Sequence, residues 1–190
     1  MTNDILDRLR QTTDLHRRRL LLAAYVCSEV SEQGTKPVLV GGNAVEFYTF
    51  SQYTTHDIDL VASQRHLVGA VLEKLGFVRK KGARHWFHQA LDLAVEIPDH
   101  ALAGDMDRSI EVEIDGWTAT IISIEDLLVD RLQAHIRQDS VSDFEQALTM
   151  YSLHYAEIDS AYLKQQVIKH RLEQGLRELQ EQLVLDDPKD

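Results

Sequence analysis

One cysteine, three prolines and no long apolar run in 190 residues exclude several classes of protein at once. A single thiol, Cys27, cannot close an intrachain disulfide, so the disulfide-stapled scaffolds of small secreted domains are ruled out. It lies in "LLLAAYVCSEV", where a helix buries it as a small hydrophobe, and no catalytic role is assigned to it. No apolar stretch approaches the ~20 residues that cross a bilayer. The opening "MTNDILDRLR" is charged where a secretory leader is apolar, so a cytoplasmic location without membrane contact is expected. There is no repeat, no low-complexity segment and no Pro/Gly-rich linker; only "DDPKD" (186–190) reads as a loose tail. Positive charge is also scarce, with 20 Lys and Arg against 31 Asp and Glu for a formal net charge of -11. A field of that sign opposes generic binding to nucleic acid or anionic lipid. Two local basic clusters survive it, Arg17 to Arg19 and the group Arg79, Lys80, Lys81 and Arg84.

What is present is ordinary globular material, 44% hydrophobic and 27% charged, long enough to bury a core. Residues 4 to 32 read as helix, in two pieces if Thr12, Thr13 and Asp14 cap the second, and Gly34 ends it. "KPVLV" (36–40) is a buried-type strand, 43 to 50 a short helix and "DIDLVA" (57–62) a second strand. Residues 64 to 76 carry a helical apolar face closed by Gly76. Strands are then expected at "FVRKK", "HWFHQ" and "LDLAVEI", and "SIEVEI" and "WTATIIS" flank Asp115-Gly116, a hairpin turn signal. Ser123 with Asp126 resembles a capping box that opens the next helix. Two further helices follow, 141 to 154 and 160 to 184, the last with Ile168, Leu172, Leu179 and Leu183 on one stripe. The pattern predicts an α/β (α+β) fold with a small mixed sheet flanked by helices: a helical segment 1–35, an α/β core 36–123 and a helical region 124–190. The Arg17 to Arg19 triplet and the acidic last helix read as solvated faces.

Chemistry is concentrated in "VLVGGNAVEFYTFSQYTTHDIDLVAS" (38–63). Alternation along a strand points Asp57 and Asp59 the same way, with Ile58 and Leu60 on the opposite face. Two such carboxylates repel and retain a proton unless a cation sits between them. Oxygen-rich sites of this kind suit Mg²⁺, which takes one or two carboxylates and completes its shell with water and substrate phosphate. A third acid would let two metals be held, as in displacement at phosphorus. "LDLAVEI" offers Asp92 and Glu96 on the polar face of an alternating strand, and either could complete the set. Gly41 and Gly42 close the first strand and open a helix, where free N–H groups and the missing side chains admit an anion. Thr54 and Thr55 precede the acidic strand, where their hydroxyls could steady it. "RHWF" (84–87) mixes cation and aromatic as base-stacking sites do, although Trp86 and Phe87 equally suit packing.

The run from Leu39 to Val61 resembles the signature of the nucleotidyltransferase superfamily related to DNA polymerase beta: a hydrophobic residue, Gly-Gly, a short helix, then Asp-X-Asp. Within it the chain is similar to small bacterial and archaeal enzymes found as toxins of toxin-antitoxin pairs, including abortive-infection types. The resemblance covers roughly residues 36 to 150 and implies a sheet of the nucleotidyltransferase type. It implies that Gly41 and Gly42 embrace a triphosphate, that Asp57 and Asp59 bind Mg²⁺ or Mn²⁺, and that Glu96 is the third acid, because relatives place theirs before Ile-Pro or Phe-Pro. "EDLLVDRLQAH" resembles a helix that often carries a triphosphate-contacting lysine, a position that reads Arg131 here. Arginine makes a different, bidentate contact. "SDFEQAL" resembles the following aspartate motif and adds Asp143, which also suits a simple helix cap.

The expected activity is therefore transfer of a nucleoside monophosphate from an NTP to RNA, protein or a small molecule, with an antitoxin-like protein as a partner. The basic "RKKGAR" leaves tRNA among the acceptors. Two rivals come from other classes. One is the same fold acting as a catalytically weak or inactive binding module through a protein partner. The other is a glycosyltransferase using Asp-X-Asp for a nucleotide-sugar, which normally needs a longer chain.

Overall fold

The structure, a computed structural model, describes residues 2–98 and 101–186, so all but Asp186 of the expected tail lies outside the described residues. Helices α1 (Thr2–Gln11) and α2 (Leu15–Ser31) precede the sheet. Strands β1 (Val38–Val40) and β2 (Asp57–Val61) bracket α3 (Gly41–Tyr48), and α4 (Arg65–Lys74) leads to β3 (His85–His88) and β4 (Leu93–Glu96). A hairpin of β5 (Ile110–Ile114) and β6 (Trp117–Ile121) follows, then α5 (Ile124–Gln138), α6 (Val141–Leu153), α7 (Ser160–His170) and α8 (Glu173–Asp186). The six strands form one mixed sheet in the order β3-β4-β2-β1-β6-β5. β1 runs antiparallel to β2 and parallel to β6, while β2 runs parallel to β4. The short buried strands β1 and β2 thus take the middle of the sheet, as their apolar runs require.

Local signals account for most boundaries. Asp14 caps α2 by accepting the Arg17 N–H at 2.7 Å, and Ser123 caps α5 by accepting the Asp126 N–H at 3.2 Å. Asp115 and Gly116, with φ of 53° and 88°, make the two-residue turn between β5 and β6. α2 is buried almost all round from Arg19 to Cys27 because the sheet, α1, α3 and α4 enclose it. Buried Cys27 donates its thiol to the Pro37 carbonyl, and burial pushes its pKa up to about 11, consistent with an inert side chain. α5 is the hub of the last four helices, touching α6, α7, α8 and also α3.

Four expectations are corrected. "FVRKK" contributes no strand: Val78 makes an isolated pairing with Phe87 and remains exposed. The short helix starts at Gly41 rather than Asn43, placing both glycines in its first turn, and it ends at Tyr48 before Phe50 and Ser51 turn left-handed. The expected helix 160 to 184 is two helices, broken at Arg171 with φ of 61°. The break resets the helical phase, so Leu172 and Leu179 are buried whereas Ile168 is 54% exposed. Finally, the arginine triplet is not a solvated face throughout. Arg19 is buried and donates to both Glu46 carboxylate oxygens at 2.6 and 2.8 Å, whereas exposed Arg17 pairs with Asp115.

The Arg19–Glu46 pair ties α2 to α3, which carries the glycines. Removing one partner of a buried ion pair strands the other charge in an apolar setting. Glu46→Ala is expected to lower unfolding free energy by about 3–5 kcal/mol, and Arg19→Met with Glu46→Leu by less than that. Urea denaturation of the two variants measures the difference.

Candidate active site

The site assembles where β1 ends. Gly41 takes φ of 61°, a conformation glycine adopts without strain, and a Cβ at this position would run into the Asp59 carboxylate. The Gly42 N–H donates to the Asp59 carboxylate, and a Cβ at Gly42 would meet the Thr55 hydroxyl at 2.8 Å. Both glycines are therefore required by contacts with the acidic strand and the segment leading into it. Asn43, fully buried in the same helical turn, donates through Nδ2 to the Asp57 carbonyl and pins the start of β2.

Asp57 and Asp59 share one face of β2, and both are partly exposed, while Ile58 and Leu60 are fully buried behind them. Pairing in register carries the row across the sheet: Val40 opposite Asp59, Asp59 opposite Glu96, and Glu96 opposite His85. Side chains paired in this way project from the same face, so Asp59 and Glu96 stand one strand spacing apart. Burial raises the Asp59 pKa to about 6, with the charges of Glu96 and Asp57 pushing the same way and the Gly42 N–H and Arg131 opposing. The Glu96 carboxylate is held by Arg84 at 3.2 Å and His85 at 3.1 Å. Among the described residues no three Asp, Glu, His or Cys side chains are grouped so as to hold a metal ion.

Beside Asp59 lies a cleft of about 290 Å³ lined by Gly41, Asp59, Leu102, Leu127, Asp130 and Arg131 among others. Arg131 is positioned by two acids, donating to Asp143 at 2.7 Å and to Asp130. Asp143 thus acts from behind Arg131, and the cap of α6 is Ser140, which accepts the Asp143 N–H. The far wall belongs to the segment after β4. Asp126 fastens that segment by accepting the Asp105 N–H at 2.9 Å, the Tyr162 hydroxyl at 2.9 Å and the Ser123 hydroxyl at 3.0 Å.

Of the residues marked in the sequence, Gly41, Gly42, Thr55, Asp57, Asp59, Glu96 and Arg131 come to this region, with Asp143 behind. Asp92 does not: it is exposed at a left-handed turn with φ of 50°, before β4 begins, so the alternation that put it beside Glu96 fails there. Asn43, Asp130 and Tyr162 escaped sequence reasoning. Asn43 had a readable signal, an amide directly after Gly-Gly in the first helical turn; the other two are made relevant only by packing.

Comparison with known proteins gives the family and the fold. Residues 20–182 match the family described as "Nucleotidyltransferase of unknown function (DUF6036)". No curated protein matches the chain. Among solved structures, an antigenic nucleotidyltransferase-like protein from Paracoccidioides brasiliensis superposes with a TM-score of 0.59 at 16% identity, covering 90% of this chain and 93% of its own. The antibiotic-resistance factor ANT(2″)-Ia superposes with a TM-score of 0.54 at 16% identity, covering 85% of this chain and 95% of its own. At such identities the likeness is one of fold.

Gly41→Ala is penalised twice, by its backbone conformation and by the collision with Asp59. Gly34 has φ of 77° with nothing near its absent Cβ, so Gly34→Ala carries only the backbone cost. Gly41→Ala is expected to be destabilised by about 1–3 kcal/mol and Gly34→Ala by about 1 kcal/mol. Equal losses in urea denaturation would remove the contact.

Proposed function

Because this chain belongs to the family of nucleotidyltransferases of unknown function (DUF6036), we propose that it transfers a nucleoside monophosphate from an NTP to an acceptor hydroxyl or phosphate. One observation carries this reading: the Gly41–Gly42 turn folds onto Asp59, and Asp59 is paired in register with Glu96 beside a cleft that holds Arg131. An acceptor oxygen attacks the α-phosphorus, the bond to the bridging oxygen of the β-phosphate breaks, and pyrophosphate leaves. The triphosphate would lie beside the helix start at Gly41, and Arg131, held by Asp130 and Asp143, would steady the departing phosphates. Glu96, once released from Arg84 and His85, would take the proton of the acceptor. Catalysis of this kind is chiefly positioning and charge neutralisation.

The donor set suits a hard divalent cation, Mg²⁺ or Mn²⁺, since two carboxylate oxygens are crowded on one strand and a third acid is its neighbour. Asp57 and Asp59 would hold it, whereas Glu96, expected as a third ligand, is not grouped with them as one among the described residues. Such an ion supplies neutralisation of the phosphate charge that builds up during transfer. The residue fit is incomplete at Glu96, whose carboxylate is taken up by Arg84 and His85. That pairing favours a second reading, a weak or inactive nucleotidyltransferase-fold module that works through a protein partner.

Incubation with each NTP labelled at the α-phosphate, together with Mg²⁺, separates the two. Label is expected to move to an acceptor, with Asp59→Asn lowering the rate by at least about 10²–10³-fold and Asp92→Asn leaving it within about twofold. NTP binding without transfer in the wild-type protein would instead support the module. The toxin role implied by the family resemblance is part of the same proposal. Expressed in a bacterial host, the wild-type chain is then expected to slow growth, and the Asp59→Asn variant, at equal abundance, is not.

A further inference from the structure

Charge is distributed unevenly around the acids. Between Gln64 and Leu91 six cationic side chains, Arg65, Lys74, Arg79, Lys80, Lys81 and Arg84, face a single acid, Glu73, in a chain whose net charge is -11. The fold gathers most of them at one edge of the sheet. β3 is the edge strand, the loop before it carries exposed Arg79, Lys80, Lys81 and Arg84, and α4 brings Arg65 and His66 alongside. Arg65, His66, Arg79, Arg84 and Trp86 help to line a cleft of about 460 Å³, where the Arg79 guanidinium lies 4.8 Å from the centre of the Trp86 ring.

The edge also presents rings to the acidic face. Trp86 is buried opposite Val95, so its neighbours His85 and Phe87 point the other way, toward the face that bears Glu96 and Asp57. His85 pairs with Glu96, and Phe87 stands in the row of Ala94 and Asp57. Phe87 is 41% exposed and lies next to exposed Val78. A solvated aromatic ring beside clustered cations is the combination that binds single strands, since bases stack on the ring and phosphates meet the cations.

We propose that the acceptor is a single-stranded nucleic acid with a free 3′ hydroxyl, a proposal that rests on the nucleotidyl-transfer reading above. Its phosphates lie along Lys80, Lys81 and Arg84 of the loop before the edge strand, with Arg65 and Arg79 lining the cleft on the opposite, Trp86 face, and a base near the 3′ end stacks on Phe87 beside His85. An arriving phosphate replaces the Glu96 carboxylate as the anion held by Arg84 and His85, which frees Glu96. The 3′ oxygen then bonds to the α-phosphorus of the NTP, pyrophosphate departs with the electrons of the broken P–O bond, and Glu96 accepts the hydroxyl proton. The overall acidity of the chain limits binding to this one edge.

The test measures binding and transfer separately on the full chain. A fluorescein-labelled single strand of about 12 nucleotides, as RNA and as DNA, is titrated with protein at ~0.05 M and ~0.2 M salt, with polyglutamate as competitor. Binding that weakens with salt is expected, reduced about tenfold or more by Lys80→Glu with Lys81→Glu and about fivefold or more by the charge-neutral Phe87→Ala. Transfer of α-label to the strand falls in parallel in both variants, while NTP binding is unchanged. The RNA and DNA arms identify the sugar. The proposal is overturned if no strand binds, if polyglutamate displaces the strand as readily as unlabelled strand and Phe87→Ala has no effect, or if label moves to a protein or small molecule with the same rate in both variants. Strand binding that responds to both variants, without NTP binding or transfer, would instead overturn the catalytic reading and leave the strand site standing.

Discussion

Asp59 is a carboxylate with too many like charges near it. It sits in the middle of a sheet, flanked by Asp57 on its own strand and by Glu96 on the next, and it is partly removed from water. The protein moderates this locally with the Gly42 N–H and, across the cleft, with Arg131. Gly41 is glycine because this carboxylate occupies the space of a side chain. A protein does not assemble such a cluster for stability, since crowding disfavours the charged form. The cluster is consistent with a site that receives positive charge from outside.

The scaffold holds that strained centre from two directions. On one side the buried Arg19–Glu46 pair and the Asn43 bond to the Asp57 carbonyl fix the glycine-bearing helix against α2 and β2. On the other, Asp126 gathers the segment after β4, Tyr162 and its own cap, Ser123, and so sets the far wall of the cleft. Both anchors are buried polar groups held by specific hydrogen bonds, although Arg19 Nε and Asn43 Oδ1 are buried without a partner. Arg131 is fixed in the same way, between Asp130 and Asp143.

Much of this was legible in the residue order. Asp-X-Asp on a strand with apolar alternate positions placed two acids on one face, and the hairpin at Asp115-Gly116 and the caps at Asp14 and Ser123 appear where their chemistry puts them. Less legible were features that depend on a neighbour. Alternation extended one step too far and put Asp92 in a strand, although the turn at that residue ends the pattern. Three successive arginines looked alike, yet only Arg19 meets a buried glutamate. A continuous polar helix concealed a break at Arg171, because a left-handed residue other than glycine has no strong sequence signal.

The sequence by itself determined which groups the candidate site draws on: local spacing and strand geometry gave two aspartates two residues apart, two glycines at a strand end and a third acid from Asp92 or Glu96, and the family resemblance favoured Glu96. Only the tertiary structure decided which of them meet. Register between β2 and β4 aligned Asp59 with Glu96, packing of α5 brought Arg131 to the same cleft, and the edge position of β3 set cations and exposed rings beside the acids. Periodicity tells a side chain which face of its own element it occupies, whereas the partner across that face is chosen by how the whole core closes.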